Sequence, residues 1–298
     1  MKRRKVIFLS SVLLNLLIVQ VVNIVSAPNL NAVKWLDRTF FYNMDLTSTW
    51  LSRILYPLGI STDPEQVIIG DDAWLYLGDR HENTRSVDRR QPTDADIAVG
   101  KGIGAATEAW NTYLAGKGVK RFKITIAPNK VTIYPEHLPV WARPPKPNVT
   151  DALLAGTGKT RYLDLRRPLL AAKSEYRHAR YYETDTHWNF FGAGIAFRHF
   201  AEQIGEDTPE LQWPDDTNYE ATPVVARKGG DPANFLRLTT SVSDTEPLIR
   251  AQDIPVTTAQ FDFDTNQILY RGGNAVVYSM QKPVLVKSDG ALNNQRVL

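Results

Sequence analysis

The hydrophobic positions of the chain follow three different patterns in its first third. Residues 6–25 carry no charge and are mainly Leu, Val and Ile, and a helix needs ~20 such residues to cross a bilayer. Residues 66–70 and 73–77 are short strand-like runs separated by Gly-Asp-Asp, a pattern that predicts a hairpin. Residues 94–114 have apolar side chains at helical spacing, which predicts a helix.

Strand and helix patterns alternate in the middle of the chain. Apolar runs at 121–127 and 162–165 predict strands, whereas residues 168–175 and 189–204 have helical spacing. Alternation of this kind predicts an α/β layered domain around a central, mostly parallel sheet.

Two polar loops should meet at one edge of this sheet. Reactive loops gather at the carboxyl ends of strands in open α/β sheets, so we expect residues 128–130 to lie near residues 185–187. Residues 81–92 are expected to form a loop. The proline-rich residues 209–264 are expected to be a loop-heavy insertion with one helix at 231–238.

The start of the chain indicates export. Basic residues at 2–5 precede the apolar run, and such charges stay on the cytoplasmic side of a membrane. The sequence VSA at 25–27 resembles a signal peptidase site, but the apolar run is long for a signal peptide, which favours an anchor. We therefore expect a signal anchor or signal peptide at 1–27, a lead-in segment at 28–65 and one domain at 66–298.

Composition excludes several classes of function. The net charge is +3, but four of the 35 Lys and Arg residues lie at 2–5, so the body of the chain is nearly neutral. Nucleic-acid binding is therefore not expected, because it needs a positive field. The chain has no cysteine, which excludes thiol catalysis and Cys-ligated metal. His81, His137, His178 and His199 show no ligand spacing with one another or with Asp and Glu, so neither a metal nor a cofactor is expected.

Asp185-Thr186-His187 carries the clearest chemistry. A carboxylate two residues before a histidine can fix the tautomer of the imidazole and stabilise the imidazolium, which is half of a Ser-His-Asp triad. Taken alone, the same pattern also fits a helix N-cap with a surface ion pair.

Three separated segments together resemble one family. They are GDDAWLYLGD at 70–79, APNKVTIYPE at 127–136 and TDTHWN at 184–189. In this order and spacing they are similar to the "G-x-D-G-W-L-F", "P-N-K-x-x-x-Y-P-E" and "T-D-T-H-W-N" segments of the alginate O-acetyltransferase family. That family has an SGNH-hydrolase-like domain.

The resemblance implies a periplasmic enzyme, anchored to the inner membrane through the N-terminal segment. It would move acetyl groups onto hydroxyls of alginate or a similar exopolysaccharide through an acyl-serine intermediate. A membrane-bound acyltransferase would supply the acetyl group. By the same resemblance Asp185 is the orienter and His187 the general base.

The nucleophile of the family lies in a later block that reads Asp-Ser-Phe or similar. Residues 288–298, SDGALNNQRVL, resemble the approach to that block. We therefore expect the domain to be incomplete at its C-terminus, without the serine.

Further candidates are weaker. Asn129 and Lys130 are candidate oxyanion donors or substrate ligands, with a turn and a solvated lysine as the alternative. Tyr134 is a candidate sugar contact, although a tyrosine in an apolar run more often packs with its hydroxyl satisfied. Trp188 is expected to set the loop behind His187, with substrate stacking as the alternative. Ser288 is a poor nucleophile candidate, because Lys-Ser-Asp-Gly reads as an ordinary turn.

Two other functions also fit the sequence. A carbohydrate acetyl-esterase would use the same residues with water as the acceptor. A noncatalytic polysaccharide-binding or assembly protein would need no serine at all.

Overall fold

The computed structural model describes most of the chain. The described residues are 2–27, 29, 35, 37–158, 161–175, 178–209, 211, 213, 219–221, 224–246, 249–251, 257–271 and 284–290. The predicted approach to the nucleophile, from residue 291 onward, lies outside them.

Ten α-helices are present in this part of the chain. They are α1 Lys2–Val25, α2 Arg38–Phe41, α3 Asp45–Leu55, α4 Thr84–Arg89, α5 Asp94–Gly116, α6 Lys130–Ile133, α7 Val149–Gly156, α8 Arg166–Glu175, α9 Phe190–Asp207 and α10 Asp231–Phe235.

The same described ranges contain eleven strands. They are β1 Val67–Ile69, β2 Leu75–Leu77, β3 Ile124–Ile126, β4 Tyr162–Asp164, β5 Tyr219–Ala221, β6 Val225–Lys228, β7 Ser243–Glu246, β8 Ile249–Ala251, β9 Thr257–Asp262, β10 Ile268–Arg271 and β11 Val284–Asp289.

The predicted hairpin and the predicted parallel pairing are both present. Strands β1 and β2 pair antiparallel around the Gly-Asp-Asp turn, and β3 pairs parallel with β4. The described portion of the central parallel sheet is this β3–β4 pair. Three further sheets, ordered β10-β9-β11, β5-β8 and β6-β7, are antiparallel.

Two predictions about irregular segments were wrong. Residues 209–264 were expected to be loop-heavy, but their described part contains five strands, β5 to β9. Four of these strands pair across intervening segments, β5 with β8 and β6 with β7, and all five are short and carry polar residues, so their local pattern is weak. The expected loop at 81–92 contains α4, and the helix expected at 231–238 ends at Phe235.

The hairpin β1–β2 is buried on both faces and separates two hydrophobic cores. Ile68 and Tyr76, which oppose each other across the hairpin, face a core shared with α6, α8 and α9. Val67 and Leu75 face a second core shared with α10 and the turn after it. Because successive side chains of a strand point to opposite faces, two three-residue strands supply both cores.

Helix α1 is the one described helix long and apolar enough to cross a membrane, by length and composition, over Val6–Val25. The N-terminal expectation of a helix is therefore confirmed. Its cleavage or retention, and the three-part division of the chain, stay predictions.

Helices α5 and α7 pack closely through glycines. A Cβ atom built on Gly100 of α5 would lie 2.2 Å from the carbonyl oxygen of Leu153, and one on Gly156 of α7 would lie 2.4 Å from the carbonyl oxygen of Ile97. Backbone therefore meets backbone at this contact. Gly102, which is also on α5, has no atom within 4 Å of its Cβ position.

We predict opposite effects for alanine at two glycines of α5. Gly100→Ala should destabilise the fold by about 1–3 kcal/mol, because α7 must move away. Gly102→Ala should stabilise it by about 0.5–1 kcal/mol, because alanine loses less backbone entropy in an exposed helix position. Thermal or urea unfolding measures both. Equal effects of the two substitutions would contradict this packing.

Candidate active site

His187 is held in a hairpin-like segment at 180–189. The Asn189 amide donates to the carbonyl of Arg180 at 3.0 Å, and the Tyr182 amide donates to the carbonyl of His187 at 3.3 Å. The side-chain oxygen of Asn189 then caps α9 by accepting from the Gly192 amide at 3.1 Å. The start of α9 and the hairpin therefore fix residues 183–187 at a tip.

Asp185 and His187 form a direct hydrogen bond. Nδ1 of His187 lies 2.7 Å from Oδ1 of Asp185, and the His187 amide donates to the same oxygen at 3.1 Å. An ionised carboxylate only accepts, so Nδ1 carries the proton and Nε2 has the free lone pair. The His187 side chain is 70% exposed and that of Asp185 only 7%. The pair therefore presents a basic nitrogen to solvent.

The second oxygen of Asp185 is also occupied. Arg227 of β6 donates to Oδ2 at 3.1 Å, and its guanidinium lies over the ring of Tyr182 at 4.1 Å. Burial raises the pKa of Asp185, but the hydrogen bonds from His187 and the charges of His187 and Arg227 outweigh it, so the pKa is lowered. Asp185 is therefore a stable carboxylate.

Gly230 and Asp231 approach this pair from the start of α10. A Cβ on Gly230 would lie 2.2 Å from Oδ2 of Asp185, so only glycine fits there. Oδ2 of Asp231 lies 3.7 Å from Nδ1 of His187 and 3.4 Å from the hydroxyl of Thr186. The N-cap residue of α10 is Gly230, and Asp231 is the first residue of the helix.

Oxygen and nitrogen atoms of Asp185, His187 and Asp231 lie within 4.8 Å of one another and could hold a metal ion. The ring nitrogen facing both acids, Nδ1, is already hydrogen-bonded to Asp185, and Arg227 places a positive charge against the same carboxylate. The arrangement thus fits a hydrogen-bonded catalytic pair better than a metal centre.

Lys130 connects the two predicted loops. It is buried, and its Nζ donates to the carbonyls of Tyr182, Glu183 and Asp185 at 3.1, 3.0 and 2.7 Å. Three donors match the three protons of an ammonium group. Burial lowers the pKa of Lys130 to about 7. The negative charges of Asp244, Asp185 and Glu183 act in the opposite direction and favour the ammonium form.

Asp244 of β7 holds the same tip from the other side. Its buried carboxylate accepts from the amides of Glu183 at 2.6 Å and of Thr184 at 3.1 Å, and from the Thr184 hydroxyl at 2.5 Å. The tip is therefore fixed by a cation on its carbonyls and an anion on its amides.

The structure brings some predicted site residues together and not others. Asn129 is exposed beside Lys130, at the cap position of α6. Trp188 is half-buried and packs against the first core. Tyr134 lies in that core with its hydroxyl accepting from the Arg180 amide at 2.8 Å, which is the packing alternative.

Two expectations about Lys130 and Ser288 need correction. Lys130 is neither solvated nor free to bind an oxyanion, because all three of its protons are used by the 182–185 carbonyls. Ser288 lies in β11 opposite Thr258, not in the expected turn, and its sheet contains none of the residues around His187.

Sequence reasoning missed Arg227 and Asp244. Both lie in the segment 209–264 that was expected to be loop-heavy. Arg227 bonds to Asp185 and Asp244 to Thr184, in each case across more than 40 residues of sequence. No spacing rule connects them to these partners. The GGD run at 229–231 was the one available signal of this neighbourhood.

Comparison with known proteins identifies the family of this chain. The model of the family described as "SGNH hydrolase-like domain, acetyltransferase AlgX" matches residues 67–271. A protein named "Probable alginate O-acetylase AlgJ" from Pseudomonas fluorescens is 30% identical over 146 residues, which is 48% of this chain and 34% of the relative. The protein of the same name from Pseudomonas syringae pv. tomato is 28% identical over 177 residues, 58% of this chain and 41% of the relative. The chain thus spans less than half the length of these relatives.

Two solved structures are also similar in part. The "O-Acetyltransferase Domain of Pseudomonas putida AlgJ" is 24% identical with a TM-score of 0.44, over 63% of this chain and 66% of that one. "Bacillus cereus PatB1 with sulfonyl adduct" is 16% identical with a TM-score of 0.47, over 69% and 62% of the two chains.

The family model covers more than half of the chain and contains all three motif segments. The chain therefore belongs to the SGNH hydrolase-like acetyltransferase AlgX family, which confirms the resemblance read from the motifs and the α/β, SGNH-hydrolase-like fold class.

Proposed function

We propose that this protein is an exported O-acetyltransferase of SGNH type that places acetyl groups on hydroxyls of an extracellular polysaccharide, alginate or a similar polymer. The single observation that carries the proposal is the Asp185–His187 hydrogen bond of 2.7 Å with an exposed ring. Membership of an acetyltransferase family and the names of the relatives support the reaction and the substrate class.

His187 acts as the general base and Asp185 as its orienter. The nucleophile is the serine of the later block that the family resemblance implies. As the serine oxygen attacks the acetyl carbonyl, the serine hydroxyl gives its proton to Nε2 of His187. His187 then passes this proton to the leaving group of the donor as that group departs. A sugar hydroxyl then attacks the acyl-serine. Its proton passes through His187 to the serine oxygen, and the products are the acetylated sugar and the free serine.

The oxyanion that forms at each attack needs donors in a fixed position. Asn129 is the proposed side-chain donor, because it is exposed and lies next to Lys130, which is bound to the His187 loop. Lys130 is a positioning residue in this proposal. Trp188 supports the loop from the core side.

The N-terminal helix supports the proposed location, and the family resemblance supports the proposed partner. With α1 in the inner membrane and its basic start in the cytoplasm, the domain would lie in the periplasm. A membrane-bound acyltransferase is the proposed acetyl donor, since a domain held at the membrane can receive a group carried across it.

The proposal predicts transfer activity that depends on His187. The full-length protein should transfer acetyl from 4-nitrophenyl acetate to a deacetylated uronate oligosaccharide. His187→Ala should lower the rate about 10²–10⁴-fold, because the general base is lost. Mass spectrometry of the oligosaccharide measures the product.

His199→Ala is the matched control, since His199 lies on α9 against Glu202, and it should keep full activity. Release of acetate without transfer at any acceptor concentration would identify an esterase instead. Oligosaccharide binding without ester turnover, unchanged by His187→Ala, would identify a noncatalytic binding protein.

A second prediction concerns the charge of Asp185. Its lowered pKa means that the carboxylate adds stability in full above its unfolded pKa of about 3.9, and that this stability is lost as pH falls through the folded pKa. The stability difference between wild type and Asp185→Asn should therefore narrow as the pH falls below about 4. Thermal unfolding across this range measures it.

The His187→Ala background provides the control for this effect. The hydrogen bonds from His187 are the largest lowering cause, so the narrowing should be smaller when the ring is absent. A difference that is independent of pH, or that widens in acid, would contradict the assigned role of Asp185.

A further inference from the structure

Helix α3 has its apolar face turned away from the protein. Leu46, Trp50 and Ile54 follow one another at intervals of four residues and are 39%, 54% and 62% exposed. Leu51 in the same helix and Leu58 just after its end are also exposed. Apolar side chains at this spacing normally face a core.

The opposite face of α3 is polar and points inward. Ser52 is buried, and its hydroxyl lies 2.8 Å from the hydroxyl of Thr62. Ser48 and Thr49 are half-buried on the same side of the helix. The amphipathic pattern of α3 is therefore inverted with respect to the domain.

The end of the apolar helix α1 is attached to this lead-in. Asn23 is buried, and its side-chain amide donates to the carbonyls of Phe40, Phe41 and Asn43 at 2.7, 3.2 and 3.0 Å. Asn23 lies two residues before the end of the span Val6–Val25, and α1 packs against both α2 and α3. These contacts place α3 at the level of the exit from the apolar span.

Helix α3 is also attached to the domain near the active site. Arg237, just after α10, bonds to Asp45 at 2.7 Å, and Arg53 donates to Ser241 at 2.9 Å. The hydroxyl of Tyr56 donates to the carbonyl of Ala73 in the hairpin turn at 3.0 Å. The position of α3 is therefore transmitted to α10, whose first residue lies beside His187.

We propose that α3 lies in the membrane interface as a second, peripheral contact, with Leu46, Trp50, Ile54 and Leu58 among the lipid headgroups and upper acyl chains. An amphipathic helix in this position buries its apolar face by about 5–10 Å. Tryptophan and tyrosine favour the same depth, and Trp50 is joined there by the exposed Tyr42. Lipid is the occupant because the apolar surface is continuous with a span that lipid already surrounds.

This inference rests on the anchoring by α1 included in the proposed function. Its consequence is geometric: a span alone permits the domain to swing, whereas a span and an interfacial helix hold the His187 site at one height above the bilayer.

The absence of cysteine allows a direct test. Full-length chain with the single substitution Ile54→Cys carries an environment-sensitive fluorophore and is reconstituted in phosphatidylcholine and phosphatidylglycerol vesicles. Lipids with a nitroxide near the headgroup should quench it strongly, and soluble iodide weakly. Trp50→Cys repeats the measurement on the same face, which protects the test against one misfolded variant.

Trp110→Cys is the matched control, since Trp110 is a similarly exposed aromatic residue on α5. It should show the reverse, several-fold stronger quenching by iodide than by the nitroxide lipid. Equal quenching at positions 54 and 110 would overturn the proposal, and so would protection of position 54 from both quenchers, which would mean that protein covers it. Flotation of the vesicles reports on α1 separately: failure to float would overturn the anchoring together with this inference.

Discussion

The structure around His187 depends on one electrostatic arrangement: a buried ammonium and a buried carboxylate hold the same five-residue tip from opposite sides. Lys130 takes three carbonyls of residues 182–185, and Asp244 takes two amides and a hydroxyl of residues 183 and 184. Backbone groups at a turn lack partners of their own. The two charges supply them, and each charge is stabilised by the hydrogen bonds it makes and by the other charge.

The rest of the fold serves this arrangement. The hairpin β1–β2 is rigid because both of its faces are buried, and its Leu75 amide donates to the carbonyl of Glu183 at 2.8 Å. Strand β3 ends just before Lys130, so the parallel pair β3–β4 sets where the ammonium enters. Arg227 of β6 and Asp244 of β7 oppose each other across this strand pair. Arg227 bonds to Asp185, and Asp244 bonds to the amides of the tip. An exposed imidazole can therefore be precisely oriented although it sits on a loop.

Local chemistry was predictable from the sequence and long-range chemistry was not. Asp185 and His187 are two residues apart, so their contact follows from their spacing. The strand before Pro128 predicted that residues 128–130 lie at the same edge of the sheet as residues 185–187. The role of Lys130 could not be predicted, because burial decides it and a lysine after a proline turn normally stays in water. Asp244 reaches its partners across 60 residues through a polar strand with little pattern. The exposure of the apolar face of α3 could not be predicted for a related reason. The spacing of apolar residues shows that a helix has an apolar face, but not whether that face contacts the protein.

Amide hydrogen exchange at residues 183 and 184 tests the central claim most directly. Neither amide belongs to a helix or strand, so an ordinary exposed loop would exchange there at unprotected rates. We expect both amides to be strongly protected in the wild-type chain and to lose much of that protection in Lys130→Met, while amides in the middle of α5 keep theirs. Unprotected amides in the wild type, or protection that Lys130→Met leaves unchanged, would contradict the account.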